Sequence, residues 1–180
     1  MAKFYDEMNE DHIRFIAEQK IFFTATAAPT GHINLSPKGM DTLRCFDAHT
    51  VAYLDLTGSG NESAAHFLQD GRMTMMWCSF TSKPLILRLY GRGEAVQLDS
   101  PRGGELSAHF PTLDGQRQII MLHVESVQTS CGYAVPFYEF QSERESLVKW
   151  AAHKGEDGME EYRREKNLVS MDGFPTGLSI

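Results

Sequence analysis

The chain has 180 residues, 42% of them hydrophobic, and a formal net charge of -7 at pH 7. That length and apolar content suit one domain with a substantial core, while the acidic balance argues against non-specific nucleic-acid binding, so an anionic ligand has to be held by a few placed cations. Cys45, Cys78 and Cys131 form no Cys-x-x-Cys pair and indicate neither a disulfide framework nor a zinc site; with no apolar run near the ~20 residues of a membrane span and no signal-peptide core, a cytoplasmic protein without membrane partners is expected.

Residues 9–19 predict a short helix with Ile13 and Ile16 on one face, and 21–27 a strand of high β-propensity. A turn at Pro29-Thr30-Gly31 leads into a second strand over 32–36, expected to stop at Pro37-Lys38-Gly39 because proline cannot continue an interior ladder. Asn34 and Ser36 share a face by the two-residue period, and Lys38 is next in the series if strand geometry persists. This is either a solvent-facing strand side or a polar cluster gathered at a strand end.

The stretch 50–69 then reads as strand, glycine loop and helix: alternating residues up to Leu56, a break at Gly58-Ser59-Gly60, and Ala64, Phe67 and Leu68 at helical spacing. Asn61 stands where an N-cap belongs, its side-chain oxygen expected to accept a first-turn amide, and Glu62 follows where the helix dipole favours negative charge. The remaining amides, with the hydroxyls of Thr57, Ser59 and Ser63, make a pocket of donors suited to a phosphate, the alternative being a well-capped turn. A dinucleotide fingerprint fails because Ser63 occupies the third glycine position and Ser79-Phe80 lies where the acidic residue belongs; the Gly-Lys-Ser/Thr signature of a P-loop is absent.

Downstream, strands outnumber helices. Over 72–78, Met73, Met75 and Trp77 share one face and Thr74, Met76 and Cys78 the other, both expected to be buried. Over 85–96 a core face of Leu85, Leu87 and Leu89 narrows to Gly91 and Gly93, as where another backbone approaches closely, opposite a face carrying Arg88, Tyr90 and Arg92. A short helix falls within 101–111. Residues 118–128 form a strand with Ile120, Leu122 and Val124 toward the core and His123 opposite, with no acid placed beside it by spacing. Residues 130–136 form a loop and 137–140 continue from it. Ser142-x-x-Glu145 reads as a capping box opening a helix that buries Leu147, Trp150 and Ala151, interrupted by Gly155 and Gly158 before a charged helix over 159–166. About six strands and few helices give a mainly β fold, a small antiparallel β-barrel with peripheral α-helices.

Three segments, Ile33-Asn34-Leu35-Ser36-Pro37-Lys38-Gly39, Ala52-Tyr53-Leu54-Asp55-Leu56-Thr57-Gly58-Ser59-Gly60-Asn61-Glu62-Ser63 and Leu87-Arg88-Leu89-Tyr90-Gly91-Arg92-Gly93-Glu94-Ala95, together resemble the FMN-binding split-barrel family related to pyridoxamine 5'-phosphate oxidase. Ser130-Cys131-Gly132-Tyr133 and the tail Ser170-Met171-Asp172-Gly173-Phe174-Pro175 are similar to its uncharacterised flavin-nucleotide-binding branch. The resemblance implies a six-stranded antiparallel split β-barrel over 1–140, a C-terminal helical extension and tail of the same domain over 141–180, and a homodimer with FMN at its interface. It implies cofactor contacts from Asn34, Ser36 and Lys38 beside the flavin ring, and from Leu56, Thr57, Gly58, Ser59, Asn61 and Ser63 near the phosphate. Where the oxidase carries Ser-Arg-Lys for the phosphate, this chain has Asn61-Glu62-Ser63. Charge compensation is therefore expected from Lys38, Arg72 or Arg92, and with no counterpart to the oxidase's C-terminal arginine motif, the departure points away from pyridoxamine 5'-phosphate oxidation itself.

The expected function is a flavin-dependent oxidoreductase, with hydride or electron transfer at FMN and a small-molecule substrate or electron donor as partner. Such chemistry demands no acid–base side chain and no metal. The alternatives are a non-enzymatic flavin carrier or redox sensor, and a haem-binding or haem-degrading protein on the same barrel with His109 or His123 as axial ligand.

Overall fold

Among the described residues, eight antiparallel strands form one sheet: β1 (Lys3–Tyr5), β2 (Ile21–Thr26), β3 (Asn34–Gly39), β4 (Leu43–Asp47), β5 (Thr50–Leu56), β6 (Arg72–Cys78), β7 (Ile86–Gln97) and β8 (Gln116–Ser130). The computed structural model describes residues 2–180. Strand order is β3-β2-β6-β7-β8-β5-β4, with β1 paired to β8. Helices α1 (Glu10–Glu18), α2 (Glu62–Phe67), α3 (Pro101–Ser107) and α4 (Ser146–Lys166) complete the fold. The two strands beyond the expected six are β1, only three residues long, and β4.

Chain connectivity forces this sheet to curl. β3 and β4 are the two ends of the strand order, yet only Met40, Asp41 and Thr42 separate them in sequence. At ~3.3–3.6 Å per residue that link spans at most about 14 Å, so the two edges must come round nearly to meet. They do so without pairing, which leaves an open seam in the barrel.

Alternation along the strands sorts the core into two layers. Phe22, Tyr53, Met73, Met75, Trp77, Leu87, Leu89, Ile120 and Leu122 fill one, where Phe22 stacks on Trp77 with ring centroids 6.0 Å apart. Ala52, Leu54, Val96, Ile119 and Met121 point the opposite way and bury with Phe110. β8 therefore reads as nearly continuous apolar sequence because both of its faces are covered over 119–122. Each such side chain, when fully buried, contributes about 1.5–3 kcal/mol.

Gly91 behaves as its place in the pattern predicts. A Cβ there would lie 1.9 Å from the His123 carbonyl oxygen, where the β7–β8 register shifts between Tyr90 and Gly91. At Gly93 the close neighbour is a side chain instead, the Phe67 ring at 2.3 Å.

Several local expectations are corrected. β3 does not stop at Pro37 but runs through Gly39, with Pro37 opposite Phe23; an edge strand is bonded on one side only, so a residue lacking an N–H is tolerated. On β6 only the Met73, Met75 and Trp77 face is fully covered, with Thr74 and Met76 half-buried. Ser142 caps nothing: α4 begins at Ser146, and Glu145 makes no cap bond and pairs with Lys149 instead. Within α4 the break falls at Gly155 (φ 68), whereas Gly158 is accommodated in the helix. No described helix is long and apolar enough to cross a membrane.

Candidate functional site

The barrel seam holds a polar cleft of about 390 Å³. One wall is β3, an edge strand whose two-residue period turns Asn34, Ser36 and Lys38 to the same side, each half-buried, while Leu35 and Pro37 face out. The opposite wall is the end of β5, Asp55 and Leu56, and the loop from Gly58 to Ser63 that carries the chain into α2. Met171, from the C-terminal segment, closes one side.

Electrostatically the cleft is organised by Asp55, which is 3% exposed. An aspartate in the apolar run Val51-Ala52-Tyr53-Leu54 must be paired or it would not remain ionised. Its Oδ2 accepts from Arg117 Nε at 3.1 Å, Arg117 Nη2 at 2.6 Å and Gln118 Nε2 at 2.9 Å, and its Oδ1 from Lys38 Nζ at 3.2 Å. Burial pushes the Asp55 pKa up, but the Arg117 guanidinium, then Lys38, outweigh it and hold the carboxyl well below the usual carboxylate range. Burial likewise opposes the charge on Lys38, and Asp55 more than restores it, so the lysine pKa lies above its ordinary value. Lys38 also lies 5.5 Å from the centroid of the Tyr53 ring.

Arg117 spends four of its five N–H donors on structure. Besides Asp55 it donates through Nη1 to the Gly60 carbonyl at 2.9 Å and to Asn167 Oδ1 at 2.8 Å. Asn167 in turn donates to the Gly58 carbonyl at 3.1 Å, and Thr176 to the Asn167 carbonyl at 2.7 Å. The glycine loop is thus fastened by its carbonyls to β8 and to the segment after α4. Its amides face no such partner: no backbone hydrogen bond among the described residues uses the N–H groups of residues 58–63. Gly58 has nothing within 4 Å of where a Cβ would stand, so the cleft stays open there.

The structure brings Asn34, Ser36, Lys38, Leu56, Gly58, Ser59, Asn61 and Ser63 to this one cleft. Asn34 Nδ2 donates to Ser63 Oγ at 3.1 Å, and Ser36 Oγ to Asn34 Oδ1 at 3.2 Å. Thr57 instead lies behind the loop, 1% exposed, its Oγ1 accepting from Arg163 Nε at 2.9 Å. Burial lowers the Arg163 pKa, with Arg117 adding to it. Arg72 and Arg92 lie outside the cleft: Arg72 pairs with Asp70, while Arg92 bonds the Asp70 carbonyl and approaches Glu125 at 3.6 Å. Asn61 takes the N-cap position, but its side chain does not cap α2, because Oδ1 accepts from Gln118 Nε2 at 2.7 Å. The histidines considered as axial ligands are elsewhere. His123 does have an acid beside it, Glu94 at 2.7 Å on the neighbouring strand, and His109 packs edge-on against Phe46 at 5.0 Å.

Asp55, Arg117, Gln118 and Asn167 are the residues sequence reasoning passed over. The available signal was the lone acid ending an apolar strand, and the antiparallel register then sets Gln118 opposite Asp55.

An open antiparallel barrel with a donor-lined cleft at its seam is the FMN-binding split-barrel fold. Residues 8–131 match the family model described as pyridoxamine 5'-phosphate oxidase, and the chain belongs to that family. A pyridoxamine 5'-phosphate oxidase family protein of Aspergillus flavus is 32% identical over 195 residues, covering 97% of this chain and 78% of that protein. Among solved structures, a candidate pyridoxamine 5'-phosphate oxidase of Lactobacillus delbrueckii aligns with a TM-score of 0.55 at 16% identity, over 68% of this chain and 94% of the other. An FAD-binding protein of Mesorhizobium loti aligns at 0.51 and 10%, over 72% and 99%. At these identities the structural likeness establishes the fold.

Proposed function

We propose that this chain is a cytoplasmic FMN-binding flavoprotein that works as a homodimer, and that it is an oxidoreductase toward a small-molecule substrate or electron donor. The observation that carries the reading is the donor set of the seam cleft: Lys38, the hydroxyls of Ser59 and Ser63 and the free amides of the loop line one space. Those are the groups a terminal phosphate requires. Family membership, and a fold shared with an FAD-binding protein, support a flavin as the group that carries it.

Formal charge in the cleft balances, with Lys38 and Arg117 against Asp55 and Glu62. The phosphate would accordingly be held by directed hydrogen bonds and one placed ammonium rather than by a positive field. Asp55 keeps Lys38 in position and Arg117 fixes the loop carbonyls, so that the amides point the other way. Asn34 and Ser36 supply polar contacts for the ring along β3. FMN, when bound, supplies the hydride or electron transfer, and the protein supplies orientation and access.

The purified protein is expected to take up FMN at least about tenfold more tightly than riboflavin, the difference one charge-assisted contact makes. Fluorescence titration checks this, and equal affinities would remove the phosphate assignment. Multiple turnovers of the bound flavin by a specific donor would mark an enzyme, and a single stoichiometric reduction a carrier.

A second copy is supported by surface composition. Ile33, just before edge strand β3, and Leu35 on it are 75% and 65% exposed, and Tyr133, Phe137 and Tyr138 are more than two-thirds exposed. A second copy is also the route by which Arg72 and Arg92 would reach a flavin. A ligand bound only by the dimer stabilises it, so sedimentation is expected to give a dimer that dissociates at lower concentration once FMN is added. A monomer binding FMN with undiminished affinity would refute the shared site.

A further inference from the structure

We infer that Met171 packs against the aromatic ring of the bound ligand, held over the cleft by a C-terminal turn that Glu62 and Asp172 clamp between the two walls of the seam. The inference rests on the reading of the cleft as a flavin site and adds to it a contact for the uncharged part of the ligand.

Residues 170–174 close on themselves. The Ser170 N–H donates to the Phe174 carbonyl at 2.8 Å, the Gly173 N–H to the Ser170 carbonyl at 3.0 Å, and the Phe174 N–H to Ser170 Oγ at 3.1 Å. The turn is then fastened on both sides of the cleft. Toward the glycine loop, the Met171 N–H donates to both oxygens of Glu62, each at 3.2 Å. Toward β3, the Asp172 carboxylate accepts twice from His32, from the backbone N–H at 2.8 Å and from ring Nδ1 at 2.6 Å. The chain ahead of β3 is shaped to receive that carboxylate: Gly31 has φ 89, and a Cβ there would stand 2.4 Å from Asp172 Oδ2.

A single exposed apolar side chain is ordinary on a protein surface. Met171 differs in being fixed. Its own N–H and both neighbouring residues are tied, yet the residue is 72% exposed where it borders the cleft. Apart from Leu56, every other described side chain lining that space is polar or charged. A phosphate gives a thioether nothing to cover, whereas a flat aromatic ring offers it an apolar face and a favourable sulfur contact. The polar wall and the clamped methionine together suit a ligand with an anionic end and an aromatic body.

The test titrates FMN and riboflavin on the full chain, since both carry the ring and only one carries the phosphate. Met171→Ala, at an exposed position that leaves folding intact, is expected to raise both dissociation constants about tenfold without changing their ratio. Met171→Leu keeps the volume and should stay close to wild type. Asp172→Ala releases the turn and should weaken both flavins similarly, after which Met171→Ala costs little more; a turn that only stabilised the fold would leave that cost unchanged. Met171→Ala binding both flavins as wild type does, or losing FMN alone, would overturn the ring contact, and full additivity in the double variant would overturn the clamp. If wild type binds the two flavins equally, the phosphate assignment fails, and a tenfold loss of both in Met171→Ala would still support the ring contact. A wild type that binds neither removes the flavin reading, and this inference with it.

Discussion

Asp55→Ala is expected to lower the free energy of unfolding by about 3–5 kcal/mol, because it leaves the Arg117 guanidinium buried without its counter-ion. The Arg117 and Asp55 side chains are each 4% exposed, so water cannot take over the role of the missing carboxylate. The loss extends beyond the pair. Gln118 and Lys38 lose an acceptor at the same time, and both walls of the seam depend on it. Chemical denaturation at neutral pH measures the effect, and a loss below about 1 kcal/mol, the range of a solvated surface pair, would show that the ion pair is hydrated. Asp55→Leu with Arg117→Met should recover much of the stability, since a buried pair replaced by apolar side chains is often neutral. That double variant still lacks the bonds to Gly60 and Asn167, so it should fold and bind FMN poorly.

The same pair sets the acid limit. Asp55 ordinarily titrates near ~3.9 when unfolded, and in the folded protein Arg117 and Lys38, against the opposing effect of burial, hold it lower. Its contribution is therefore complete above about pH 4 and is lost as the pH falls toward the depressed folded value. Asp55→Asn should flatten the fall in stability below pH 4. Lys38 carries the opposite sign: its pKa is raised, so its contribution is complete below about pH 10.4 and is lost at higher pH.

Much of this site was legible in the sequence because strands have a period of two. Asn34, Ser36 and Lys38 could be set on one face without knowing what lay opposite, and glycine spacing marked both the loop at 58–60 and the close approach at Gly91. The errors have one physical origin, competition from partners distant in sequence. Asn61 looks like a cap by local rules, yet Gln118, 57 positions away, takes its oxygen. Ser142 and Glu145 satisfy a local pattern that tertiary packing leaves unused. His123 gained an acid from the neighbouring strand, which no spacing along its own strand reveals. Arg117 was hidden most completely, because its role depends on the register of β5 against β8 and on a tail segment 50 residues further on.

Lys38→Ala is expected to weaken FMN binding about ten- to hundredfold while leaving riboflavin nearly unchanged. Arg117 spends four of its five N–H donors on Asp55, Gly60 and Asn167 and its side chain is 4% exposed, whereas Lys38, 28% exposed, has one protein acceptor and two ammonium protons to spare. It is thus the cation of this cleft that can reach a ligand directly, at the roughly 1.5–3 kcal/mol of a hydrogen bond to a charged group, which is the stated range in dissociation constant. Asp55 keeps Arg117 and Gln118 in the variant, so the fold should survive. Lys38→Met serves as the control for packing against Tyr53: it retains most of the stem, and if charge is what matters it should lose FMN as severely as alanine does. Added salt should narrow the gap between wild type and either variant only slightly, because a half-buried contact is weakly screened. A titration in which both variants bind FMN as wild type does would take the charge compensation away from this strand, and Arg72 and Arg92 of a second copy would be the next cations to test.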